Sequence, residues 1–275
     1  MFLPPTITLY DIAFQAPTNT SNTAPNPWKS RLALNFKGLP HKTEWVPLLQ
    51  IPETRKRLGS APGRKFADGS DFYTLPLVTD SSTNSIIGDT IDFAIHLQRT
   101  YPDAGAGNLF PAQKLEYTYT PEFDFPAPLS EHAEGEYGEY VRFNTNVDNV
   151  FSAHCVLMVG GYKFDPSDEE AVKAEFVRRS GVPSWDSFLV EGEARDKTKA
   201  SFHKALEGLA DLLKKDPSGP FILGHKPNYA DLIVGGWLQM TKMTLPADEW
   251  KEFTGWYDGV FGQLSEALQQ FTHVY

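Results

Sequence analysis

The chain has 275 residues, 41% hydrophobic and 22% charged, which is enough for one large core or two smaller ones and argues against disorder. A net charge of −10 disfavours nucleic acid as a partner, and a single cysteine, Cys155, rules out an intrachain disulfide and any cysteine-based zinc spacing. No run approaches the roughly 18–20 apolar residues of a membrane span, and the opening MFLPPTITLY lacks a basic stretch followed by an apolar one, so a cytoplasmic protein with neither metal nor membrane partner is expected.

Charge is spread unevenly. Residues 1–107 carry 10 Lys/Arg and 9 Asp/Glu, net +1, whereas residues 108–275 carry 15 and 26, net −11. This break predicts two domains, 1–107 able to accept an anionic ligand and 108–275 a solvated acidic body.

Taken in chain order, Thr6–Ile12 (TITLYDI) is β-branched and aromatic and predicts a strand. A proline-punctuated loop spans Gln15–Asn26; a loop this long is usually functional. Pro27 suits a helix first turn with Asn26 as N-cap, and the helix runs through Trp28, Leu32 and Phe36 to Gly38. His41–Pro47 predicts a second strand. The basic stretch Gln50–Asp71 has no defined periodicity. Thr74–Asp80 and Ser85–Ile87 predict a hairpin, and Asp89-Thr90 caps a helix ending near Tyr101-Pro102.

Beyond Asn108 no strand is predicted. Residues 112–138, rich in Pro, Glu and Tyr, read as an extended surface arm. A stripe at three and four spacing, Tyr140, Phe143, Val147, Val150, Phe151, His154 and Met158, predicts a helix with one buried face. Further helices are predicted over about Ser167–Arg179, Lys197–Lys215, Asn228–Met240 and Ala247–Phe271. On the first stripe, His154 reads as a satisfied core histidine and Cys155 as a small buried hydrophobe.

The residues suited to chemistry fall in the first 107. Pro76 in Thr74-Leu75-Pro76-Leu77 removes a ladder donor, so either the strand is an edge or Leu75–Pro76 is cis, as at the third strand of a thioredoxin fold. The latter leaves the N–H and C=O of Leu75 free for an extended peptide ligand. Asp89-Thr90 is either a simple cap or a head-group site, in which helix N–H groups take a carboxylate and Asp89 takes an ammonium.

Three motifs carry a resemblance. They are Ala24-Pro25-Asn26-Pro27-Trp28-Lys29-Ser30-Arg31 running to Lys37-Gly38; Leu75-Pro76-Leu77-Val78 with Asp89-Thr90 and LQRTYPD at 97–103; and FILGHKPNYAD at 221–231, where Asn228 and Asp231 form a capping box. On these, most of residues 6–272 resembles a glutathione transferase, more narrowly the fungal-specific class related to bacterial β-etherases. The tyrosine-rich insert at 116–140 is not accounted for by it.

The resemblance implies an α+β fold, a thioredoxin-like domain at 1–107 followed by an all-helical domain at 108–275, with glutathione as cosubstrate and a homodimer as the assembly. Leu75 and Pro76 would face the cysteinyl unit, Asp89 and Thr90 the γ-glutamyl end, and Gln50 or Lys65 the glycyl carboxylate. The family's catalytic Ser or Cys falls on Ala24, which has neither hydroxyl nor thiol. Activation of the sulfur then rests on helix N–H groups, with Asn26 or Thr23 as an added donor. Phe14, Trp28, Phe143, Val147 and Phe151 are candidates for a pocket taking aromatic or phenolic electrophiles, with core packing as the competing role of each. The implied activity is conjugation to, or cleavage of, such compounds in detoxification; the alternatives are a non-catalytic ligandin for plant or wood aromatics and a regulatory module on the same scaffold.

Overall fold

The computed structural model describes residues 6–66, 68–121, 130, 132 and 134–275. Alternation along β1 (Ile7–Ala13) sends Ile7 and Leu9 to one face and Tyr10 to the other, so this strand needs cover on both sides. A βαβ unit supplies one side: α1 (Pro25–Phe36) crosses over to β2 (His41–Pro47), parallel to β1 with Ile7 opposite His41. A 3₁₀ turn at Leu48–Gln50 and α2 (Ile51–Arg57) follow, then a minimal hairpin of β3 (Arg64–Lys65) and β4 (Asp71–Phe72). β5 (Leu77–Asp80) runs antiparallel to β1, β6 (Ser85–Ile87) antiparallel to β5, and α3 (Thr90–Thr100) closes the unit. The sheet order β2-β1-β5-β6 with its crossover is thioredoxin-like.

No strand follows β6 among the described residues. The helices are α4 (Gly138–Ala153), α5 (Val156–Val159), α6 (Glu169–Ser180), α7 (Gly192–Ala205), α8 (Glu207–Leu213), α9 (Tyr229–Thr244) and α10 (Ala247–Ala267). None of the described helices is long and apolar enough to cross a membrane. Helix α9 is buried through Thr241, capped by the reciprocal Asn228–Asp231 box expected from sequence, and packs on α1. Closeness there depends on glycine: a Cβ at Gly236 would lie 2.6 Å from the Pro25 carbonyl oxygen and 2.7 Å from Lys29 Cγ.

Several expectations shift. Helix α1 starts earlier, with Ala24 as N-cap and Asn26 inside the first turn, because Pro25 itself takes the N1 place. The strand expected from Thr74 begins at Leu77, beyond the cis Leu75–Pro76 bond. The span 197–215 divides into α7 and α8 at Leu206. The long final helix is kinked, with Tyr257, Asp258 and Gly259 in the left-handed region (φ 53°, 65° and 82°); the Tyr257 ring stacks on His203 at 4.4 Å and its hydroxyl donates to the His203 carbonyl. Of the expected arm, residues 122–129, 131 and 133 lie outside the described residues. Tyr117 is buried, its hydroxyl 3.1 Å from the Ala205 carbonyl, so this part is packed against α7 rather than lying out on the surface.

Candidate functional site

A cleft of about 250 Å³ opens between the sheet edge and α4. It is lined on one side by Asn26, Thr74, Leu75, Pro76, Asp89 and Thr90, on the other by Val141, Asn144, Thr145, Asp148, Asn149 and Ser152, with Arg64 and Trp237 also on its wall.

The first wall is built from elements that end at the cleft. Arg55 on α2 donates to the Thr74 carbonyl at 2.6 Å and to Ser60 Oγ at 2.8 Å, tying down the stretch before β5. The next residue, Leu75, has neither its N–H nor its C=O hydrogen-bonded among the described residues. That is an open strand edge facing a cleft, suited to an extended peptide. Asp89 caps α3 through Oδ1 alone, accepting from Ile91 N at 2.8 Å and Asp92 N at 3.1 Å, which leaves Oδ2 to the cleft. Burial, with the charge of Asp92 behind it, pushes the Asp89 carboxyl up to about 6. Thr90 holds Tyr229 through its carbonyl (2.7 Å), while its own N–H takes no partner among the described residues.

At α1 the first turn reads Pro25-Asn26-Pro27, so two of its three free backbone donors are missing and Asn26 supplies the one that remains. Ala24 and Thr23 are buried behind this turn and do not border the cleft; the Thr23 hydroxyl has no partner there.

The opposite wall follows from the phase of α4. Phe143, Val147 and Phe151 occupy its fully buried face, with Phe151 stacked on Trp237 at 5.2 Å. The positions one residue along, Asn144, Asp148 and Ser152, turn into the cleft together with Asn149. One buried network anchors this wall to α1. Lys29, with a fully buried side chain, donates to Asn144 Oδ1 at 2.8 Å and pairs with Asp148, which also accepts from Trp237 Nε1 at 2.6 Å and Asn144 Nδ2 at 3.0 Å.

The other sequence candidates are placed elsewhere. Gln50 is exposed, and Lys65 is exposed and paired with Asp71; neither borders the cleft. Trp28 is buried in α1, and Phe14 stacks on Tyr162 at 5.4 Å among Phe164 and Phe176. His154 is held by the Val150 carbonyl (2.7 Å) and Ser201 (3.1 Å), as a core histidine is, and burial pushes the half-buried Cys155 thiol up to about 11. Arg64, Asn144, Asp148, Asn149, Ser152 and Trp237 were not singled out by sequence reasoning. The polar complement of the α4 stripe would have pointed to four of them.

This arrangement can be set beside known proteins. Residues 23–100 match the glutathione S-transferase N-terminal domain and residues 148–271 the C-terminal domain of the same proteins. The glutathione S-transferase-like protein ustS of Aspergillus flavus is 26% identical over 281 aligned residues, covering 95% of this chain and 89% of that one. Among solved structures, a glutathione S-transferase of Ceriporiopsis subvermispora in complex with glutathione is 27% identical, with a TM-score of 0.80 over 98% of this chain and 99% of the other. The β-etherase LigF of Sphingobium shares the fold at a TM-score of 0.57 and 14% identity, over 96% and 94% of the two chains. Both domain matches fall in their proper order around the cleft, one carrying its Leu75, Asp89 and Thr90 wall and the other its α4 wall from Asp148 onward, and on this the chain belongs to the glutathione S-transferase family.

Proposed function

We propose that the protein binds glutathione along the Leu75–Thr90 wall and transfers it to a hydroxyl-bearing aromatic electrophile held against α4. The observation that carries this reading is the convergence on one cleft of an unpaired Leu75 peptide unit, a half-buried Asp89 with one free oxygen and an open Thr90 N–H. These groups match a cysteinyl backbone, an ammonium and a carboxylate respectively. The similar protein of C. subvermispora was solved with glutathione, which supports the assignment. A phenolic rather than a bare aromatic partner is supported by the polar lining: the side chains of Asn149 and Ser152 have no hydrogen-bond partner among the described residues and need one when water leaves the cleft. The shared fold of LigF, a β-etherase, fits this class. The reading includes a division at residues 107/108, a homodimer and a cytoplasmic location.

A ligandin is favoured by one observation. Ala24 offers no hydroxyl, and the two prolines leave α1 a single free N–H for the sulfur. Calorimetry with glutathione and initial rates with matched electrophiles, with and without a phenolic hydroxyl, separate the readings. The transferase reading expects glutathione binding and turnover that is faster with the phenol, and Asn149→Leu should erase that preference. Binding of phenols without turnover gives the ligandin; no glutathione binding removes the transferase, and binding of neither glutathione nor phenols removes both.

A further inference from the structure

We propose that Arg64 stabilises the thiolate of bound glutathione, supplying what position 24 lacks. The proposal rests on the glutathione reading given above. Arg64 is the cationic side chain among the residues lining the cleft, and its guanidinium makes no hydrogen bond or ion pair with any described residue; its Nε is buried without a partner.

The neighbouring cations are committed. Lys29 holds Asn144 and Asp148, and Arg55 holds Thr74 and Ser60. A partly desolvated cation with no counter-ion gains more from an arriving anion than a solvated one does. Arg64 is also held from behind. Its guanidinium lies 5.3 Å from the Phe72 ring, which stacks on Phe66 at 4.4 Å. Arg178 and Arg179 of α6 cover these rings at 4.0 and 5.1 Å, and Glu175 binds both arginines at 2.7–2.8 Å.

Position argues for the sulfur over the γ-glutamyl carboxylate. The opposite charge that reaches Arg64 is Asp148, which meets α1 at Lys29, one turn from Asn26. That is the end of α1 where the sulfur is expected, while the γ-glutamyl carboxylate has Thr90. The charged groups around the thiol are then Asp148 on α4, Lys29 on α1, Arg55 on α2, Asp89 and Asp92 on α3, and Arg64 on β3. Lys29 offsets Asp148, and Arg55 has its terminal nitrogens taken by Thr74 and Ser60, so Arg64 is the cation whose donors are open to an arriving anion. In the reaction the thiol proton leaves to water and the sulfur pair forms the C–S bond. The displaced pair departs with the leaving group, or, in an addition, rests on the acceptor, which takes a proton from water.

The test is the pKa of bound glutathione from its thiolate ultraviolet absorbance, in wild type, Arg64→Lys and Arg64→Gln, with affinities for glutathione and for S-methylglutathione, which keeps both carboxylates but cannot ionise. An opposite charge nearby moves a pKa by about 1–3 units. Arg64→Gln is expected to raise the thiol pKa by about one unit or more and lower kcat/KM near neutrality about tenfold or more, Arg64→Lys to do less, and S-methylglutathione affinity to stay within about twofold. An unmoved thiol pKa overturns the proposal. So does an equal loss of affinity for both ligands, which would make Arg64 a carboxylate receptor. If the wild type binds neither ligand, the glutathione reading itself falls and takes the proposal with it.

Discussion

Asp89 does two jobs with its two oxygens, and a substitution can separate them. Asp89→Asn keeps an acceptor for the Ile91 and Asp92 amides, so α3 stays capped, but removes the charge facing the cleft. Glutathione should then bind about 2 kcal/mol more weakly, roughly 30-fold, as for a lost charge-assisted bond. The pH dependence has a definite sign. With the carboxyl pushed up to about 6, an ammonium ligand meets a neutral acid below that pH and a carboxylate above it, so affinity should rise from pH 5 to 7 and the rise should vanish in Asp89→Asn. Without ligand the same group acts oppositely. Its folded pKa exceeds the unfolded value, so the fold holds a proton the unfolded chain has released, and this contribution to stability falls as pH rises from about 4 to about 6 and then stays level. Calorimetry across pH checks the first statement and denaturant titrations the second. Leu75, Pro76, Asp89 and Thr90 were legible in sequence because each is an irregularity, a proline in a strand or a cap after a hairpin. Arg64 was not, since a two-residue strand has no period and a basic loop reads as solvated.

Helix α4 settles which of two roles its apolar stripe takes. Its spacing placed Phe143, Val147 and Phe151 on one face, with a pocket and core packing as competing roles; the structure has them in the core, and the cleft takes the polar residues beside them. Elements with strong periodicity and marked ends were legible: β2, β6, the caps of α3 and α9. The α10 kink was not, because Trp250, Phe253, Tyr257 and Phe261 keep helical spacing through it, and the contact that accompanies it, Tyr257 on His203, lies 54 residues away. At α9 a glycine sets the position of α1. Gly236→Ala would put its Cβ 2.6 Å from the Pro25 carbonyl oxygen, and backbone cannot yield as a side chain does. We expect a loss of about 1–3 kcal/mol in denaturant unfolding and weaker glutathione binding, since the turn carrying Asn26 must move. Unchanged stability would mean the helices separate at no cost.

At the scale of the molecule the charge break near residue 107 marks a change of architecture but not of core. Leu9, Leu32 and Phe36 from the sheet unit share one apolar cluster with Phe151, Ile233 and Leu268 from the helices, which predicts a single cooperative unfolding transition. Among the described residues the ion pair across that boundary is Lys29 with Asp148. Lys29 is completely buried, whereas the Asp148 side chain is 27% exposed, so removing one partner has unequal consequences on the two sides. Lys29→Met keeps the stem that packs at Gly236 and deletes the charge, leaving the Asp148 carboxylate to Trp237 and Asn144 without its counter-ion. Because water reaches Asp148, the loss should sit at the low end for a broken buried pair, about 3 kcal/mol, and Asp148→Asn in the same chain should recover part of it. The readouts are the denaturant midpoint and the affinity for glutathione. A lower midpoint with unchanged affinity would confine the pair to stability. A fall in both, with partial recovery in the double variant, would show that the same contact that joins the two walls also holds the α1 turn against the ligand.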